Sequence, residues 1–114
     1  MRRWLVAALF GAMCSGQAFA YSDEQMNVMS HIGQAISATR ICSRVKVSDS
    51  AAAILLTAYE VKLDDPVVAG VVKSKIEETV AAWAGKSEDL ACAAVLMLYG
   101  PAGSSVPNLL LPKE

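Results

Sequence analysis

The sequence has few of the residue types that catalysis and metal binding require. It holds one histidine, three cysteines and only 6% aromatic residues over 114 positions. It also has no Cys-x-x-Cys redox pair, no Cys-x-x-Cys-His haem motif and no glycine-rich phosphate loop. We therefore expect no catalytic, cofactor-binding or metal-binding residues, and we predict that the protein is not an enzyme.

Charge is also scarce, and its two signs are balanced. Charged residues make up 18% of the chain, hydrophobic residues 54%, and the formal net charge is −1. This composition excludes a disordered acidic or basic tail. The absence of a cationic excess argues against nucleic acid as a partner. The length is that of one domain.

Residues 1–20 have the pattern of a secretory signal peptide. Arg2-Arg3 forms a positive n-region, residues 4–13 are uncharged and mostly apolar, and residues 18–20 have the small-x-small cleavage pattern. The apolar segment is roughly half of the ~20 residues needed to cross a bilayer. We therefore expect cleavage near Ala20 and no membrane insertion afterwards.

The mature chain, 21–114, is then a periplasmic or secreted protein whose charge falls from −1 to −3, because two arginines are lost. Cys14 is lost as well, which leaves Cys42 and Cys92 to form a disulfide in an oxidising compartment. Closing a loop of about 50 residues stabilises a protein by roughly 4 kcal/mol in the chain-entropy model. That is a large part of the roughly 5–10 kcal/mol expected for a small domain.

Four segments of the mature chain predict helices. The first begins at Ser22, the second runs from Ser48 or Asp49 to about Leu63, the third follows the cap Asp65-Pro66, and the fourth runs from Ser87 to Tyr99. No segment alternates as a strand does. The predicted fold is all-α: a small four-helix bundle-like domain over 21–114, with one disulfide and an irregular tail, 100–114, that contains proline and leucine.

The cysteines agree with an up-down-up-down bundle. The end of helix 1 and the start of helix 4 meet at the same pole of such a bundle, and these positions hold Cys42 and Cys92. We expect Trp83, at the end of helix 3, to cluster with the disulfide there. His31 falls on the polar face of helix 1, and we interpret it as a solvated surface residue.

Apolar residues are in surplus on helices 2 and 4. Helix 2 has two apolar faces, and helix 4 has no charged or strongly polar residue from Leu90 to Tyr99. Either the leucine-rich tail covers helix 4, or these residues contact a partner protein or a second copy of the chain. The candidate partner surface comprises Ile54, Val61, Leu96, Leu98, Tyr99, Leu109, Leu110 and Leu111.

Three segments carry a family resemblance: Arg40-Ile41-Cys42, residues 49–53, and residues 90–99 with their cysteine. They resemble segments of the small periplasmic immunity proteins that neutralise type VI secretion amidases. Gly100-Pro101 departs from the polar, histidine-containing turn of that family. The resemblance implies an exported, helical, disulfide-bonded inhibitor that is often dimeric.

The chain is also similar, in size, helices and a single long-range disulfide, to periplasmic acid-stress chaperones. An accessory subunit of an envelope complex is a further alternative.

Overall fold

The computed structural model describes residues 21–113. The predicted signal peptide, its cleavage site, Cys14 and Glu114 therefore lie outside the described residues. In chain order the elements are α1 (Asp23–Ile41), β1 (Val45–Val47), α2 (Asp49–Ala58), α3 (Pro66–Trp83), α4 (Glu88–Tyr99) and β2 (Leu110–Pro112). The predicted small helical domain with four helices is confirmed. Within the described part of the chain, no helix is long and apolar enough to cross a membrane.

Each helix begins at a capping side chain that can be recognised in the sequence. The hydroxyls of Ser22, Ser48 and Ser87 and the carboxylate of Asp65 each accept a backbone N–H from the first turn. Ser22 and Gln25 form both bonds of a capping box. Because capping depends on residues two or three positions apart, the four helix starts were correctly predicted.

α1 is the central element, and the other helices and β1 all contact it or are joined through it. Its contact with α3 is the closest. A Cβ atom added to Gly33 would lie 2.8 Å from Lys75 Cβ and 3.2 Å from the carbonyl oxygen of Val72. One turn later, the buried Ser37 donates its hydroxyl to the Gly33 carbonyl at 2.7 Å. Small residues on α1 therefore allow the two backbones to approach.

The prediction that α2 runs to about Leu63 was wrong, because the helix ends at Ala58. Glu60 has a φ of 58°, and two reverse hydrogen bonds close the end: Glu60 N–H to the Thr57 carbonyl and Val61 N–H to the Leu56 carbonyl. This is the Schellman pattern, in which glycine usually takes the left-handed position. With glutamate there, the sequence carries no visible stop signal.

The expectation of no strand was also wrong at two short segments. Leu110–Pro112 pairs antiparallel with Val45–Val47, and Leu111 lies opposite Lys46. The Ser48 N–H donates to the Leu109 carbonyl at 2.8 Å and extends this contact. Strands of three residues are too short to show an alternating pattern. The sequence around the tail therefore could not predict that it folds back to pair with β1.

The disulfide between Cys42 and Cys92 is present and joins the end of α1 to the first turns of α4. Polar bonds surround it. Glu88 accepts from the backbone and hydroxyl of Ser43, and Arg44 pairs with Asp89 at 2.7 Å. Trp83 lies at this pole, in a groove shared with Ile41 and Ala91. It is not in the buried cluster that holds the cysteines, so the predicted Trp83–disulfide cluster was wrong.

Removing the disulfide is expected to destabilise residues 21–114, expressed without the predicted signal peptide. Replacing both Cys42 and Cys92 by Ala should lower the free energy of unfolding by about 4 kcal/mol, because the unfolded chain regains the freedom of a loop of about 50 residues. Urea denaturation measures this free energy. The unsubstituted protein of the same length should show no free thiol with a thiol reagent, and a loss below about 1 kcal/mol would contradict a stabilising bridge.

The same substitution at two helical glycines should have opposite effects. Gly33→Ala places a methyl group against Lys75, whereas nothing lies within 4 Å of the Cβ position at Gly70. Gly70→Ala should stabilise by about 0.5–1 kcal/mol through helix propensity. Gly33→Ala should destabilise by about 1–2 kcal/mol because α1 and α3 must separate. Equal gains at both positions, measured by thermal unfolding, would exclude the close contact.

Candidate functional site

The predicted partner surface divides into exposed and buried residues. Ile54 on α2 is 69% exposed and Leu98 on α4 is 38% exposed. Leu96 and Leu111 are half-buried. The other four residues are buried, and assigning them to an open surface was wrong: Val61, Tyr99, Leu109 and Leu110.

Three structural features bury these four side chains. The Schellman end of α2 turns Val61 back into the core. The tail folds back, so that Leu110 enters the ribbon with β1 and Leu109 packs beneath it in the core. Tyr99 is held inside by hydrogen bonds to α1. The tail therefore buries part of the surplus of apolar side chains. This agrees with the interpretation that the leucine-rich tail folds back onto the domain.

α2 keeps an open apolar surface. None of its ten residues, all of them described, is fully buried, although Leu55 and Leu56 rest on the core. Its outward side carries a shallow depression formed by Ala53, Ile54, Thr57 and Ala58, which we call the α2 face. Sequence reasoning found Ile54 but not the extent of this face.

A second apolar strip lies on α4. Leu90 is 55% exposed and Met97 is 72% exposed, and the exposed Ala93 lies between them. We call these three residues the α4 strip. Sequence reasoning did not select Leu90 and Met97, although their spacing of seven residues places both on one side of a helix. That spacing was the signal that could have found them.

A cleft of about 330 Å³ opens between α1, the end of α2 and the tail. Its walls come from three separate parts of the chain, and we call it the His31 cleft. α1 contributes Glu24, Asn27, Val28 and His31, α2 and its C-cap contribute Leu55 and Tyr59, and the tail contributes residues 105–107. Leu55 lies on the core side of α2, so the cleft and the outward α2 face are separate features of the surface.

The interpretation of His31 as a solvated residue was wrong. Its ring is half-buried, and Nδ1 lies 2.9 Å from the Tyr99 hydroxyl oxygen. Tyr99 donates its single proton to the side-chain oxygen of Gln34. The hydrogen-bond network therefore assigns the His31 proton to Nδ1 and leaves Nε2 as an acceptor in the neutral ring.

Burial has opposite effects on the two rings of this network, because it disfavours the charged form of each. It lowers the pKa of His31 and raises the pKa of Tyr99 to about 12. Both groups are therefore neutral at pH 7. Their sequence separation of 68 residues explains why no local pattern linked them.

His31 gives the cleft a fixed hydrogen-bond acceptor. Its ring is oriented by a tyrosine and not by a carboxylate, unlike the histidine of a Ser-His-Asp triad. The lining around it combines apolar side chains with polar ones. Over residues 21–113, no three histidine, cysteine or acidic side chains come together in a metal-binding group.

Stability should fall as the solution is acidified through the histidine range. Since the folded pKa of His31 lies below its usual value, the unfolded chain binds more protons below about pH 6.5, and the free energy of unfolding decreases from about pH 7 to pH 5. His31→Gln should flatten this decrease in urea denaturation series. The pKa values of Asp65 and Glu88 are also lowered in the folded chain, so these carboxylates cost stability only when they are protonated, below about pH 4.5. An identical slope in both proteins would contradict the prediction.

Comparison with known proteins adds no assignment to this geometry. No protein-family model matches the chain, and no curated protein or solved structure matches it significantly.

Proposed function

We propose that the protein acts without catalysis, in the periplasm or outside the cell, by binding another protein through the α2 face. One observation carries this proposal. α2 is made mostly of alanine, leucine and isoleucine, and yet none of its residues is fully buried. Single exposed apolar residues are ordinary on a protein surface, whereas a connected apolar patch is typical of an interface core.

The composition of the two open surfaces supports the same conclusion. No charged residue occurs between Ser50 and Ala58 or between Leu90 and Tyr99. Interface cores are depleted in charged residues and enriched in methionine and aromatic residues. Met97 on the α4 strip and Tyr59 at the C-cap of α2 are residues of those types, and both are exposed.

Within this class, we propose an immunity-type inhibitor of a cell-wall amidase. The three segments that carry the resemblance are 40–42, 49–53 and 90–99. They lie at the end of α1, at the start of α2 and along α4. These elements include the α2 face and the α4 strip, so the same surface would contact the amidase. The partner class to test first is a type VI secretion peptidoglycan amidase, sought among the genes adjacent to the one for this chain.

An acid-stress chaperone is a second candidate, and the His31–Tyr99 bond favours it. This bond joins α1 to the end of α4, and acidification charges His31 against the effect of burial. A chaperone would expose apolar surface and suppress aggregation of other proteins near pH 2–3. A protein that stays folded and inactive in that range is not such a chaperone.

Ile54→Glu should weaken partner binding at least tenfold, since it places a charge in the middle of the α2 face. Ser74→Glu adds the same charge at an exposed position of α3 and serves as the matched control. Calorimetric titration with a type VI secretion amidase measures the affinity, and peptidoglycan hydrolysis by that amidase measures inhibition. Light scattering tests whether a second copy is the partner.

Equal binding by Ile54→Glu and the native chain would exclude the α2 face as the interface. A monomer that neither binds nor inhibits the amidase, and recovers no protein from periplasmic extract, would overturn the proposed function. Circular dichroism confirms that both variants keep their helices.

A further inference from the structure

The polar groups of the His31 cleft favour a positively charged ligand. Glu24 is the only ionised side chain among the described residues that line it, and neither lysine nor arginine is among them. Asn27, Tyr59 and Ser105 contribute oxygen atoms that can accept hydrogen bonds. The cleft therefore carries a negative charge that no neighbouring cation in its lining balances.

His31 strengthens this preference. Its Nδ1–H is directed to Tyr99, so the neutral ring has only the acceptor Nε2 free for a ligand. Burial in turn lowers the pKa of His31 and keeps the ring uncharged at neutral pH. A ligand that donates hydrogen bonds is thus matched, whereas an anion finds no charged donor.

The side chain of Tyr59 adds to this match. Tyr59 is the C-cap of α2, and the residue is 43% exposed, so its ring offers an aromatic face to a cation. The two helix ends at the cleft do not decide the charge of the ligand, because hydrogen bonds cap both. Ser22 and Gln25 cap the start of α1, and the Glu60 and Val61 N–H groups cap the end of α2.

The size of the cleft restricts the ligand further. A volume of about 330 Å³ lies at the lower limit for small-molecule sites and suits one large side chain. Arginine combines a planar cation that stacks on aromatic rings with several hydrogen-bond donors that pair with a carboxylate. We propose that the His31 cleft binds the guanidinium group of an arginine that a protein partner presents.

The role of a partner rests on the proposed function, but binding of the cation does not, so the test uses small probes. His31 is the single histidine of the chain, and its imidazole nuclear magnetic resonances are a direct reporter. The mature protein is titrated at about pH 8 with N-acetyl-arginine amide. The isosteric, uncharged N-acetyl-citrulline amide and the anionic N-acetyl-glutamate amide serve as matched controls.

We expect the arginine probe to shift the His31 resonances saturably, and the other two probes to bind at least fivefold more weakly. Glu24→Gln should weaken the arginine probe about two- to fivefold, the range for an exposed charge pair. Glu77→Gln, on the exposed side of α3, makes the same change in charge and should leave the affinity unchanged.

Three results would overturn the proposal. They are no shift of the His31 resonances at tens of millimolar probe, equal affinity for the arginine and citrulline probes, and tighter binding of the glutamate probe. Each of these leaves the proposed function standing if Ile54→Glu still abolishes partner binding. Conversely, if the arginine probe binds as expected but the amidase and extract experiments find no protein partner, the cleft site is retained and the proposed function is removed.

Discussion

The close contact between α1 and α3 is the constraint on which the rest of the structure depends. At Gly33 the backbones are so near that even a methyl group has no space, and Ser37 fills the next turn while bonding its own helix. This approach leaves Val68 and Val72 of α3 buried against α1. It also fixes the direction of α1, whose remaining sides hold α4, β1 and α2. Local dispersion contacts of this kind are individually small and collectively large.

α4 is tied to α1 near both of its ends by unlike bonds. Cys92, in its first turns, is covalently joined to Cys42. Tyr99, its last residue, is hydrogen-bonded to His31 and Gln34. Because Cys92 joins the end of α1 and Tyr99 bonds to its middle, α4 runs antiparallel to α1. Between these two attachments α4 buries Val95. Reduction breaks the disulfide, and protonation of His31 alters the hydrogen bond to Tyr99. The attachment of α4 to α1 therefore depends on both redox state and pH.

The open surfaces follow from this arrangement. Because α1 is already covered by α3, α4 and the β1–β2 ribbon, α2 packs on the core through one side only, with Ala51, Ala52, Leu55 and Leu56, and leaves Ile54 outside. The returning tail covers the core side of α4 but not its outer strip. It also forms the third wall of the His31 cleft. The tail thus completes the core and shapes the candidate site at the same time.

The helix starts, the Cys42–Cys92 bridge and the surplus of apolar residues were determined by the sequence alone. Caps act over three residues, and the only two cysteines outside the predicted signal peptide leave one pairing. Tertiary structure alone decided which apolar residues are open. Glu60 ends α2 without a glycine, and the return of Leu109 and Leu110 depends on β1, more than 60 residues earlier in the chain. The tertiary structure also brings His31 into hydrogen-bond contact with Tyr99. Long-range pairing leaves no periodic trace in either partner, because each segment alone is indistinguishable from one exposed to solvent.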